Sequence, residues 1–284
     1  MEQILSIQST VTIGLVGNRV AAPVITQLGH HPLLVDTTTL AAHPGYGLIA
    51  GGPPLPAQFL ALLTALAQLG ALANIGTFIT GYLGAADQVR PILELLNAWQ
   101  HDRAGYQHGN QRAGTYILDP VLGDNGRLYV DHSIVNLMQN HLLPMAQFIT
   151  PNQFELGLLA DTIITSMADA DTAAHMLLDR HPAMQGVVVT GVSDDAGNEN
   201  NTKVYDRLIT RGNDMALAYE KRAVGIAGGG DLLTAIFASG LAAGDEIQRS
   251  FTAASAKAHA IIDQSTDSRE IALLENLGLL TTNI

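Results

Sequence analysis

Cysteine is absent from the 284 residues. With it go a disulfide framework, a thiolate zinc centre and a cysteine nucleophile. This usage fits a reducing compartment, and a cytoplasmic location is the expectation. Basic residues are scarce, Lys+Arg 14 against Asp+Glu 26, for a formal net charge of −12. A protein that grips a phosphate backbone needs a basic footprint, so nucleic acid is not an expected partner. A small anion held by backbone amides needs no net positive charge and stays open. No secretory leader is expected, because the opening MEQILSIQSTVTIG lacks a basic segment followed by an apolar one.

Charge vanishes between Thr37 and Ala86, where there is no Asp, Glu, Lys or Arg. A membrane-spanning helix needs about 20 continuous apolar residues. Here Pro53, Pro54 and Pro56 precede the longest run, and Gln58, Gln68 and Asn74 interrupt it. The apolar part, 59–69, therefore reads as a core helix, and no membrane association is expected. Several catalytic signatures are missing too. The three lysines, Lys203, Lys221 and Lys257, stand in no G-x-x-x-x-G-K-[ST] loop, and the first strand–helix turn carries no G-x-G-x-x-G. Neither H-E-x-x-H nor the G-x-S-x-G elbow occurs. The histidines, His108 among them, are scattered and read as ordinary surface or core residues.

What remains is an alternation of short β-branched or aliphatic runs with longer helical patterns. Strands are predicted over 4–7, 33–36, 75–80, 116–118, 148–150 and 186–190, and helices over 17–28, 56–69, 85–99, 133–142, 153–160 and 168–180. Fully apolar runs such as Val187-Val188-Val189 suit a central, mostly parallel sheet covered on both faces. The alternation points to a doubly wound α/β fold. The region 202–222 reads as two antiparallel strands around the turn-prone Arg211-Gly212-Asn213-Asp214, and two or three helices follow, from 231 to about 280. No repeat and no linker divides the chain, so a single domain over 1–284 is expected.

Two candidates could carry chemistry. Gly228-Gly229-Gly230-Asp231 opens a helical pattern. A glycine run at a helix start leaves backbone N–H groups free to converge on an anion such as a phosphate. An acid at that mouth can deprotonate a hydroxyl facing the phosphate. The same residues also suit a glycine turn with Asp231 as an ordinary cap. The second candidate pairs DPVLGD at 119–124 with TPNQFE at 150–155, each just past a predicted central strand, where open α/β sheets place ligands. Their carboxylates and amide suit magnesium, directly or through water. They equally suit helix capping by Asn152 and Glu155.

Taken in order, the pieces resemble the pyridoxal kinases, a branch of the ribokinase-like superfamily. The residues that carry the resemblance are Leu5-Ser6-Ile7-Gln8-Ser9, Gly14 and Val16-Gly17-Asn18, Gly81-Tyr82, DPVLGD, Leu128-Tyr129-Val130, TPNQFE, VVVTG at 187–191 and GGGD at 228–231. They span essentially the whole chain. The resemblance implies ATP-dependent phosphorylation of the 5′-hydroxymethyl group of pyridoxal, pyridoxine or pyridoxamine. It gives Asp231 as the base and Gly228, Gly229 and Gly230 as the anion hole. Ser9, Gly45 and Tyr82 would meet the vitamin. Asp119, Thr150, Glu155, Thr190 and Gly191 would line the ATP, and Glu155, Asp119 and Tyr129 the metal. It further implies Mg2+, room for a monovalent cation such as K+, and a homodimer. The 202–222 segment would cover the adenine side, and the loop 193–201 would form a lid.

Two departures from that family stand out. Gly229 occupies a place usually held by threonine. Gly45, in His43-Pro44-Gly45-Tyr46, stands where some members carry a side chain that contacts the pyridine. The alternatives are a hydroxymethylpyrimidine kinase of the same fold and a non-catalytic binder of B6 vitamers.

Overall fold

The computed structural model describes residues 2–105, 114–193, 202–222, 225–266 and 269–282. The first half of the chain forms β1 (Gln3–Ile13), α1 (Asn18–Gln27), β2 (His31–Ala42), β3 (Gly51–Gly52), α2 (Pro56–Gln68), β4 (Ile75–Thr80), α3 (Val89–Gly105) and β5 (Thr115–Leu118). A small hairpin follows, β6 (Gly123–Asp124) and β7 (Arg127–Leu128), then α4 (His132–Leu137), β8 (Phe148–Ile149), α5 (Gln153–Ala160) and α6 (Met167–Arg180). The last part runs β9 (Gly186–Ser193), β10 (Lys203–Thr210), β11 (Met215–Glu220), α7 (Gly229–Ala243) and α8 (Ile247–Asp263), closing with a 3-10 helix at Leu274–Leu280.

Nine strands make one sheet in the order β11-β10-β9-β8-β5-β4-β1-β2-β3. The inner pairings are parallel, while β3 and the β10–β11 pair run antiparallel at the two edges. This is the expected doubly wound, mostly parallel architecture. Inner strands are apolar on both faces because helices cover both; β4 is buried at every residue. One core packs Ile4, Ile79, Ile117 and Val188 against α1, α7 and α8. The other packs Leu5, Phe78, Tyr116 and Val189 against helices from the middle of the chain. Successive strand residues thus serve opposite cores, as a period of two requires.

Elements differ from expectation where a local signal misleads. β2 runs on past Asp36 to Ala42 because Thr37, Thr38 and Thr39 keep the β-branched character after the apolar run stops. The helix expected over 133–142 is α4 followed by a π turn at Met138–Leu142. The apolar 59–69 segment lies in a surface helix, not a core one. On α2 only Phe59 and Leu63 are buried, while Leu60 is 45% and Leu62 46% exposed. Apolar residues surround α2, but only one side of it packs on the rest of the chain, chiefly on α3, and hydrophobicity alone does not compel burial. Among the described residues no helix is long and apolar enough to cross a membrane.

Candidate active site

Tyr82, Asp119 and Thr150 lie just past the C-terminal ends of β4, β5 and β8, and Ser9 and Thr190 lie within the C-terminal halves of β1 and β9. Parallel strands release their chains on one side of the sheet, and this is where doubly wound folds hold ligands. All five line one open cleft of about 1880 Å³. The other residues given a site role from the sequence line it as well: Gly45, Tyr129, Glu155, Gly191, Gly228, Gly229, Gly230 and Asp231. Of the loop 193–201, residues 194–201 lie outside the described residues, as does His108.

The glycine turn sits at the centre. Gly228 caps α7 with φ +87, and a Cβ there would stand 2.3 Å from the Leu15 carbonyl oxygen. Only glycine fits both demands. Gly229 and Gly230 begin the helix, so their N–H groups lack intrahelical partners. No positive φ constrains Gly229, and a Cβ there would meet only the tip of Ile262 at 3.1 Å. The strained position is therefore Gly228 and not the residue that departs from the family. Asp231 follows in the first turn of α7, partly open to the cleft. Burial raises its pKa, and the Gly17 N–H, which it accepts, works the other way. Gly17 in turn has φ +57 and lies so close to Ser9 that a Cβ would come within 2.1 Å of its carbonyl oxygen. Ser9, Gly17 and Asp231 thus form a continuous wall.

Asp119 stands deeper. The Thr234 hydroxyl donates to its Oδ2 at 3.0 Å, and Thr150 Oγ1 lies 2.8 Å from Thr234 Oγ1. Burial, then the charges of Asp231 and Glu155, raise the Asp119 pKa well above the usual carboxylate range. Burial likewise pushes Glu155 up to about 8. Its carboxylate is a backbone acceptor: Oε1 takes the N–H of Leu122 at 2.9 Å and of Gly123 at 3.3 Å, and Oε2 that of Asn152 at 2.9 Å. Asn152 returns the favour through Oδ1 to the Glu155 N–H and donates Nδ2 to the Gly123 carbonyl. Here the capping alternative is realised, and it does more than cap: it staples DPVLGD to TPNQFE.

The donors around Asp119 are all oxygen, and a buried carboxylate that feels the charges of both Asp231 and Glu155 suits a hard divalent cation. Among the described residues no group of three or more His, Cys, Asp or Glu is arranged to hold a metal by itself. A cation here would share its ligands with a bound substrate. Tyr129 is 51% exposed, at the rim beyond the β6–β7 hairpin. Burial, with Asp124 and Glu155 next, raises its pKa and keeps the phenol neutral.

At the Ser9 end, β1 and β2 slip register between Gln8 and Thr10, so that Thr37 and Thr38 share one place opposite Ser9. Asn18 secures the slip. Its Nδ2 donates to the carbonyls of Gln8 and Val35 and, at 2.7 Å, to Asp36 Oδ1, while its Oδ1 accepts from Ser6 at 2.8 Å. Thr37 donates to the Tyr82 carbonyl at 2.6 Å, tying the next loop to the same slip. Over this end lies the turn 43–47, held to the C-terminal segment by His43 Nε2 at 2.8 Å from the Arg269 carbonyl and by the Tyr46 hydroxyl on Glu270. The His43 ring folds back so far that a Cβ at Gly45 would stand 2.6 Å from it. At the opposite end Thr190 bridges to Asn152, and the 202–222 segment, as two antiparallel strands, brings Val204, Glu220, Lys221 and Arg222 to the cleft.

Sequence reasoning missed Thr234, Asn18 as a tie between strands, and the buried Asp206. Thr234 lies three residues after Asp231 and therefore on the same face of α7. The β6–β7 hairpin was also missed, although Asn125-Gly126, with φ 49 and 78, is the expected two-residue turn.

A family model described as phosphomethylpyrimidine kinase matches residues 102–273. The chain is 32% identical over 253 residues to a pyridoxine/pyridoxal/pyridoxamine kinase of Bordetella avium, covering 89% of this chain and 81% of that protein. It is 29% identical to a pyridoxal kinase of Pseudomonas paraeruginosa, with 95% and 92% covered. Among solved structures, pyridoxal kinase from Leishmania donovani in complex with ADP and pyridoxamine superposes with a TM-score of 0.88 at 25% identity, covering 99% of this chain and 96% of that one. Pyridoxal kinase from Entamoeba histolytica shares the fold equally closely, with a TM-score of 0.88 at 23% identity.

Proposed function

The chain belongs to the pyridoxal kinase family of the ribokinase-like superfamily, and from that premise we propose that Asp231 and the 228–230 turn transfer the γ-phosphoryl group of ATP to the 5′-hydroxymethyl group of a B6 vitamer. The observation that carries this reading is the position of Asp231. It is a carboxylate of raised pKa directly behind three free-ended glycine N–H groups, between the Ser9–Tyr82 end and the Thr150–Thr190 end of one cleft.

In this reading the hydroxyl lies against the Ser9–Gly17 wall. Asp231 takes its proton as the new O–P bond forms and the bond to ADP breaks. A base whose pKa is raised by burial suits that role. The N–H groups at the start of α7 face the phosphoryl oxygens, where charge is greatest in the transition state, and the helix dipole adds to them. Thr150 and Thr190 supply hydroxyls along the phosphates. Magnesium, arriving with ATP, would neutralise phosphate charge; Asp119 would hold it, with Glu155 behind it as the staple of the two motifs. The neutral Tyr129 is assigned to the rim and not to the metal.

A second reading, phosphorylation of a hydroxymethylpyrimidine, is favoured by the description of the matching family model. That match begins at residue 102 and leaves out Ser9 and Tyr82, the residues of the vitamin end. A coupled ADP-release assay decides between the two. Turnover of pyridoxal or pyridoxamine well above that of hydroxymethylpyrimidine is expected. The reverse order would establish the second reading. ADP release with none of them, alongside retained vitamer binding, would leave a binder.

A further inference from the structure

Thr190 and Gly191 owe their place to an irregularity in the sheet. On β10, Tyr205 pairs with Val192 and Arg207 with Val189, so the two residues Thr190 and Gly191 stand opposite Asp206 alone. This is a β-bulge, and Gly191 takes the left-handed φ of +63 that such a bulge needs. A bulge leaves a backbone group without its ladder partner. Here it is the Gly191 N–H, which Asp206 Oδ1 accepts at 3.0 Å.

The other oxygen of the same carboxylate looks across to α8. Asp206 Oδ2 accepts from Ser255 Oγ at 2.7 Å and lies 3.1 Å from His259 Nε2. A carboxylate has no hydrogen to give, so the ring nitrogen facing it carries one. Tyr219 of β11 completes the group. Its ring stacks on the His259 ring, centroids 3.5 Å apart and planes within 6°, and its hydroxyl is 2.8 Å from Ser255 Oγ. Asp206 is buried and does not line the cleft, whereas Thr190, Gly191 and His259 all do. One hidden carboxylate therefore fixes the backbone of β9 and the ring plane of an α8 side chain on two walls of the same end of the cleft.

We infer that Asp206 is a positioning residue for the nucleotide, setting ATP affinity through the Thr190–Gly191 bulge and His259 without touching ATP itself. This rests on the reading above, in which that end of the cleft takes ATP. No role of this kind attaches to a carboxylate that merely neutralises a cation, because all its partners here are an N–H, a hydroxyl and a ring nitrogen. Those partners also turn donor dipoles onto the carboxylate, which lessens its repulsion of a polyanion held nearby.

The test is Asp206→Asn in the full-length enzyme, read by steady-state kinetics and by calorimetric titration with a non-hydrolysable ATP analogue. The expected result is a rise of about ten- to hundredfold in KM for ATP and in Kd for the analogue, the scale of one lost charge-assisted hydrogen bond. KM for pyridoxal and kcat at saturation should hold. Ser255→Ala, which removes one donor to Asp206 from a position outside the cleft, should shift the same two quantities in the same direction by less, and it carries the test if the asparagine variant does not fold. Unchanged ATP affinity in either folded variant, or an equal rise in both KM values, would overturn the inference. If the wild-type enzyme itself fails to bind the analogue, the reading of this end as the ATP site falls, and the inference with it.

Discussion

Asn18 and Asp206 occupy comparable places at opposite ends of the cleft, yet they could not be exchanged. Each is a buried polar side chain that holds a slip in strand register, between β1 and β2 for Asn18 and between β9 and β10 for Asp206. The two side chains meet different backbone groups beside their slips. At the Ser9 end the backbone groups that the side chain meets are carbonyls, of Gln8 and Val35, and the side chain must donate. At the Thr190 end the unmatched group is the Gly191 N–H, and the side chain must accept. An amide does the first and a carboxylate the second. The lesson is that the sheet's own hydrogen-bond accounting dictates the polarity of each tie, independently of the ligand each end receives.

If the two ends are separate supports for one reaction, a change at the point where they meet should touch rate and leave both affinities alone. Asp231→Asn is that change. We expect kcat to fall by about 10² to 10⁴, as removal of a positioned base does, with little change in either KM. A fall of less than about tenfold would break the assignment of the base. The fold should gain from the same change. Because burial raises the Asp231 pKa in the folded chain, its contribution is favourable in acid and is lost as pH rises through that raised value. Thermal melts should therefore show Asp231→Asn stabilising the protein more at high pH than in acid.

Asn18→Ala probes one end alone. It strips donors from buried carbonyls and should cost about 1–3 kcal/mol of stability, with KM for pyridoxal rising and KM for ATP unmoved. A parallel rise in both would dissolve the distinction between the ends. Glu155→Gln tests the staple. A glutamine offers one acceptor where three N–H groups need two oxygens, so we expect a lower Tm and a steeper requirement for magnesium, with pyridoxal binding retained. Equal losses of magnesium dependence and pyridoxal affinity would reduce Glu155 to a purely structural cap. The smallest effect is expected from Gly229→Thr. Its φ is not left-handed, and only the flexible tip of Ile262 must give way. ATP titration should find affinity within about twofold of wild type, since the N–H groups that bind phosphate remain. A clear loss with the fold intact would place the strain at Gly229 after all.

Much of this was legible in the sequence because it is local. β4 and α5 match their predicted limits residue for residue, each a patterned run between strong breaks. GGGD, DPVLGD and TPNQFE could be found because each packs its chemistry into a few consecutive residues. The ties between elements were not found in this way. Asp206 shares a strand face with Leu208, a period of two that puts an acid among buried residues. That anomaly was visible, but its meaning lies in Gly191, Ser255 and His259, which only the assembled sheet brings near. Glu155 taught the opposite point. Its capping and site readings were weighed as rivals, and the structure gives it the capping contacts inside the site. α2 failed for a further reason: composition records how apolar a helix is, and not how many of its sides have neighbours.

The contact of the 14–17 turn with the 228–231 turn has a consequence for how the molecule comes into being. Gly228 rests on the Leu15 carbonyl, and Gly17 donates to Asp231. These two segments stand near opposite ends of the chain, so the reactive corner is a long-range closure that no early fragment contains. Loop closure of this span is slow relative to local helix formation. On the ribosome, the strand before the 14–17 turn must wait, already made, for a helix that emerges more than 200 residues later. Competence to bind phosphate at this corner is therefore a late event in folding, and its appearance in a refolding experiment should trail the recovery of helical signal.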